Sequence, residues 1–170
     1  EEGDFTMVMG YPASTEQYLT SHGISLIKDV RHPNRIDVRD KRLEVMNKHM
    51  AKSESVKIKY AAKQSGASNA WKKWKGVIRG LERFNAIEKK KELEKQFQSW
   101  ADAEKARTGQ YGNLISTFKS TYSEAEPVFV ARDHFVETGY YGIELVRFVR
   151  NFNSLLKIKE KDTISDVTSE

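Results

Sequence analysis

Apolar residues recur along most of this chain at intervals of three and four, the period of a helix with one buried face. The longest such stretch covers residues 53–84, where Trp71, Trp74, Ile78 and Leu81 fall three, four and three apart. They predict a shared face, with Lys72, Lys73, Lys75 and Arg79 pointing mostly elsewhere. Within it lies SGASNA, residues 65–70, whose small polar residues give up helix propensity. Such a segment suits either a close helix crossing or a recognition surface. Before it, Leu43, Met46 and Met50 define one side of a helix over residues 35–50, with Arg39, Lys41, Arg42 and Lys48 outward. Pro33 offers a first helical residue and Ser53 an N-cap for the next helix.

After residue 84 the spacing Asn85–Glu88 reads as a capping box. It opens a helix with Leu93, Phe97 and Trp100 on one face, expected to fold back on the central helix as an antiparallel hairpin. Thr108, Gly109 and Gln110 predict a break, and Leu114, Ile115, Phe118 and Tyr122 resume the period. Pro127 is expected to interrupt, Gly139–Gly142 to form a hinge or a tight helix contact, and Ile143, Val146, Val149 and Phe152 to mark a last stripe. Residues 13–25 read as a loop or short helix, with Ser14 and Gln17 at capping-box spacing. One stretch breaks the pattern: FTMVMG, residues 5–10, closed by Tyr11 and Pro12, reads as a short buried strand. A lone strand leaves its backbone groups unpaired, so its sheet is expected outside this chain. The fold class is therefore all-α, a bundle of long antiparallel helices, with one short N-terminal strand left over from a neighbouring domain.

Composition narrows the function only a little. The 170 residues suffice for one domain with a core, and charged residues make up 31%. Net charge is +5 and the pI about 9.3, a mild excess that permits an acidic partner without arguing for one. Cysteine is absent, which excludes a disulfide scaffold and a cysteine zinc site. No apolar run approaches the ~18 residues of a membrane span. The opening EEGDF has no signal-peptide pattern, and the chain reads as cut from something larger.

Candidate chemistry is sparse. The histidines are His22, His32, His49 and His134, none paired at metal-ligand spacing. The pair His134 and Glu137 is single, whereas a di-metal bundle needs several such carboxylates. No nucleophile elbow, phosphate-cradling glycine loop or activated serine is present, so no cofactor, metal or catalytic residue is assigned. The run WKKWK at residues 71–75 mixes aromatic and basic side chains, as single-stranded nucleic-acid sites do. Helical geometry puts both tryptophans on one face and favours core packing. A basic helical module for an acidic partner or nucleic acid is thus the second reading.

Three ordered segments carry a resemblance: FTMVMGYPASTEQYLTS at residues 5–21, RDKRLEVMNKHM at 39–50, and KIKYAAKQSGASNAWKKWKGVIRGLERF at 57–84. They resemble the bacterial serine dipeptidyl-peptidases that include dipeptidyl-peptidases seven and eleven, less closely from Gly109 onward. That family carries a His-Asp-Ser triad on a chymotrypsin-like double β-barrel, with a helical domain inserted to cap the cleft. The resemblance implies that residues 1–14 end a barrel strand and linker, 15–156 are the helical cap, and 157–170 a polar tail. The triad would lie outside, so no histidine here is expected to be catalytic. The family removes dipeptides from a free N-terminus and uses an Asn of the helical domain to hold the substrate amine. Asn69, in SNAWK, matches that position. The implied partners are a peptide N-terminus and the flanking barrels, with no nucleic acid and no membrane span. The implied location is periplasmic or cell-surface. Oligomeric state stays open, a homodimer of the parent included.

Overall fold

The structure, a computed structural model, describes residues 3–5, 7, 9, 10 and 16–152. Its described part is helical: α1 (Ser21–Ser25), a π-helical turn (Leu26–Arg31), α2 (His32–Met50), α3 (Glu54–Arg83), α4 (Ala86–Asp102), α5 (Lys105–Tyr111), α6 (Leu114–His134), a second π-helical turn (Phe135–Tyr140) and α7 (Glu144–Arg150). No strand occurs among the described residues. Of the expected strand, Phe5, Met7 and Met9 are exposed, while Thr6, Val8, Tyr11 and Pro12 lie outside the described residues. So do Ser14 of the first capping box and the polar tail from 157.

α1, the π turn and α2 form one continuous helical rod. Thr20 caps its start, accepting a hydrogen bond from the Gly23 N–H at 3.3 Å. Glu94 of α4 adds a carboxylate there, taking the Ser21 N–H at 2.5 Å and the Ser21 hydroxyl at 2.6 Å. A negative group at a helix N-terminus meets unpaired donors and the positive dipole end. The helix therefore begins before Pro33, not at it. Pro33 has no N–H to donate, and the wide turn just before it, closed by His32 N–H to Ile27 O, shifts the bonding around that gap.

α3 lies antiparallel on the rod. Partners run in opposite order, with Gln64 on Asn47 at 3.3 Å, Trp71 on Asp40 at 2.8 Å and Lys28 on Glu82 at 3.6 Å. Two residues join α2 to α3 beyond Ala51, and Ser53 caps α3 as its spacing predicts, accepting from Val56 N–H at 3.4 Å. α6 runs along the other side of the rod in the same direction, Asp133 meeting Arg31 and Glu137 meeting Arg39. The packed pair in this fold is thus α2 with α3. α4 packs more on α1 than on α3, with Lys90 donating to Gln17 O at 2.9 Å. The expected hairpin of α3 and α4 is not formed along its length.

The Asn85–Glu88 capping box is not formed either. Asn85 adopts the left-handed conformation, φ 49°, and its side chain makes no capping bond. Asn tolerates that geometry better than most residues, which lets α4 leave at a new angle. Glu88 is taken by Lys91 at 2.8 Å. Two predicted breaks are absent: Thr108, Gly109 and Gln110 lie inside α5, and Pro127 lies inside α6. At Gly139–Gly142, expected as a hinge or a tight helix contact, the second π turn ends and the chain turns before α7. A Cβ on Gly142 would sit 2.1 Å from the Thr138 carbonyl oxygen, so the chain turns there only with glycine.

Candidate functional site

The centre of the molecule is charged rather than apolar. Arg31, Arg35 and Arg39 stand four residues apart on the rod, facing Asp133 and Glu137, also four apart, on α6 and its π turn. Arg31 binds the Asp133 carboxylate through both ends of its fork, at 2.8 and 3.1 Å, and Arg35 adds a third bond to the same group. Arg39 does likewise with Glu137 at 2.5 and 3.1 Å, and its remaining nitrogen reaches the Ala67 carbonyl oxygen at 3.2 Å. Asp133 is 2% exposed and Glu137 5%. Burial alone would raise the Asp133 carboxyl, but the Arg31 and Arg35 hydrogen bonds outweigh it and hold the group below the ordinary range.

Arg39, expected to point outward, is therefore buried. An Arg can fill an interior position when its charge is neutralised and its donors are used. The small residue Ala67, 3% exposed, makes room for it by letting the guanidinium reach a mid-helix carbonyl. The small segment of α3 thus serves close approach, one of the two uses its composition allowed.

The tryptophans share the face that their spacing predicts. Trp71 donates from Nε1 to Asp40 at 2.8 Å, and the Trp74 ring lies 5.4 Å from Arg35 and 5.1 Å from Arg39. Lys72 and Lys73 are exposed, and Lys75 lies 4.3 Å over the Trp71 ring.

Asn69 stands in the middle of α3, exposed, and its side-chain amide has no hydrogen-bond partner among the described residues. The helix that carries it is fixed on its opposite flank by Trp71, Trp74 and Ala67. Its neighbour Gly66 leaves open space, with nothing within 4 Å of the position a Cβ would take.

The histidines are scattered. His32 packs its ring 6.0 Å from Trp74, and its Nδ1 is buried without a partner. Burial first, then the positive Arg35 and Arg31, pull its pKa down to about 4. His134 is exposed, while its neighbour Glu137 is bound to Arg39. The charged ladder itself was not foreseen. Its signal was the four-residue spacing of Arg31, Arg35 and Arg39, together with two acids inside the apolar run at residues 128–137.

The fold is thus a helical rod braced by buried ion pairs, with the exposed Asn69 amide on the central helix packed against it. The chain belongs to the peptidase S46 family, whose model matches residues 1–167. It is 41% identical over 146 residues to an Asp/Glu-specific dipeptidyl-peptidase of Flavobacterium psychrophilum, covering 86% of this chain and 20% of that protein. It is 39% identical over 160 residues to an Asp/Glu-specific dipeptidyl-peptidase of Capnocytophaga gingivalis, covering 94% of this chain and 22% of that one. It is 32% identical over 161 residues to a dipeptidyl-peptidase 7 of Porphyromonas endodontalis, covering 95% and 20% respectively. The chain therefore spans about a fifth of the length of the curated relatives it matches.

Proposed function

We propose that this chain forms the helical cap of a serine dipeptidyl-peptidase acting on free peptide N-termini, and that Asn69 receives the substrate's terminal ammonium. Family membership supports the reaction class. The observation that carries the site is the unpartnered, exposed amide of Asn69 on a helix braced from behind. An amide oxygen can accept from an ammonium, and such a charge-assisted bond is stronger than a neutral one. A braced helix fixes the distance from that ammonium to the reacting carbonyl, which is what makes the enzyme cut after two residues. In this reading the triad and the barrels lie in other parts of the parent chain, and residues 5–12 end a barrel strand. The cap covers the cleft, excludes blocked N-termini and is inactive alone. The parent then works in the periplasm or at the cell surface.

The test is dipeptide release by the parent enzyme from free and N-acetylated peptides, wild type against Asn69→Ala. Free peptides should be cleaved and acetylated ones spared. Loss of one charge-assisted bond should lower kcat/KM roughly ten- to a hundredfold, ~1.5–3 kcal/mol. An unchanged kcat/KM in the variant would remove Asn69 from the site. No dipeptide release by the wild type would remove the cap reading.

A further inference from the structure

An open cleft of about 750 Å³ lies between the second half of α2, the middle of α3 and α7. That is within the ~300–1,000 Å³ of ligand pockets. Its floor is made of Ala62, Gly66 and Ala67, low enough for an extended backbone to lie close to α3. Tyr140, Tyr141 and Phe148 form the facing side.

Five cations border this cleft, and their partners differ. Arg39 is saturated by Glu137 and the Ala67 carbonyl. Lys63 is paired with Glu144 at 2.6 Å. Arg150 donates to the Tyr140 hydroxyl and lies 4.9 Å over that ring. Arg42 and Arg147 remain. Neither makes a direct ion pair among the described residues; Arg147 lies 5.9 Å over the Tyr141 ring. Arg42 is half-buried, and burial first, then Arg39, push its guanidinium below the ordinary range against the opposing pull of the nearby Glu137 and Glu144. Two forks able to bind carboxylates through paired N–H groups thus face one cleft whose lining carboxylate, Glu144, is held by Lys63.

We propose that this cleft binds an acidic peptide segment, with Arg42 and Arg147 taking its carboxylates. The choice of a peptide over another anion rests on the peptide-processing reading above. The small floor favours it too, since an extended backbone needs that close approach. The site is distinct from Asn69, which does not line the cleft.

The experiment is fluorescence anisotropy of the chain with a rhodamine-labelled, amidated tetraglutamate peptide, and with its tetraglutamine counterpart. The glutamate peptide should bind at least tenfold more tightly. The double variant Arg42→Gln/Arg147→Gln should lose at least tenfold in affinity with an unchanged melting temperature. The pair Lys72→Gln/Lys73→Gln, exposed elsewhere on α3, should bind as wild type. Equal binding of the two peptides, or undiminished binding by the arginine variant, would overturn the proposal. So would displacement of the peptide by inorganic phosphate or a short oligonucleotide at lower concentration than by unlabelled tetraglutamate. Because binding is read without catalysis, a chain that binds while the parent releases no dipeptides keeps this site and loses the cap reading. A parent that cleaves while its chain binds nothing loses only this site.

Discussion

At Glu137 the stability of the fold depends on one carboxylate. It neutralises Arg39, itself 8% exposed, and both are far from bulk water. Glu137→Ala would leave a buried guanidinium with only the Ala67 carbonyl, and breaking such a pair should cost about 3–5 kcal/mol. Replacing both partners with apolar residues, Arg39→Met with Glu137→Leu, should recover most of that loss, because the desolvation of both charges disappears too. Denaturant titration of the three variants measures this; a double variant as unstable as the single would contradict it. His32 adds a dependence on pH. Its folded pKa, about 4, lies below the usual 6.5, so the unfolded chain binds the proton first. Stability from this group is complete above pH 6.5 and falls as pH drops towards 4. The loss at pH 5 should be of order 1 kcal/mol, about half of what the full shift gives, because the ring is partly exposed. His32→Phe should flatten the change in melting temperature between pH 7 and pH 5. Asp133 works at the acid end, its contribution lost only as pH falls through its lowered folded pKa.

The elements show where periodicity is a sufficient guide and where it is not. The stripes of α2 and α3 were legible because each helix turns one apolar face to the other: Leu43 is buried, and Met46, Trp71 and Trp74 are partly covered. Asn69 was legible as an oddity, a polar residue in mid-helix; the role proposed for it comes from the resemblance alone. What spacing could not show is a helix that changes its winding. The π turns at Leu26–Arg31 and Phe135–Tyr140 are such changes. Arg39, by contrast, stands four residues before Leu43 and shares its face by spacing, and it is buried because Glu137 and the Ala67 carbonyl take up its donors. Nor could composition tell that Asn85 would turn left-handed and send α4 to α1, or that Pro127 would sit inside α6. The crossing of α1 with α6 depends on Gly23. A Cβ there would lie 2.7 Å from the Tyr122 hydroxyl and 2.9 Å from its ring. Gly23→Ala should therefore destabilise by about 1–3 kcal/mol through overpacking, against the small gain Ala normally brings to a helix. Tyr122→Ala in the same chain should relieve part of that cost, a non-additivity readable in a double-mutant cycle. Independent, additive losses would show that the ring moves aside freely.

Across the whole molecule, burial is uneven. Full burial of apolar side chains is confined to Ile24, Leu26, Leu43, Ala67 and Ala101 among the described residues. The outer elements keep large apolar groups in the open: Leu93 is 57% exposed, Trp100 47%, Leu145 66% and Phe148 57%. Apolar surface of this extent suits contact with further protein, which agrees with a cap seated on other domains of a parent enzyme. The consequence for the chain by itself is a gradient of local stability. The rod, α3 and α6 are tied by the buried arginine pairs and by partners distant in sequence, while α5 and α7 rest on short, largely local contacts. Hydrogen exchange should therefore find the slowest amides in α2 and the facing half of α3, approaching the global unfolding limit. Amides of α5 and α7 should exchange at least a hundredfold faster, through local opening that leaves the rod intact. Heating should still give one cooperative far-UV transition, since the charged ladder couples three helices and one broken pair exposes the next. Uniform protection from α3 to α7 would mean instead that the outer helices share the stability of the centre, and that their exposed apolar faces need no cover to hold them in place.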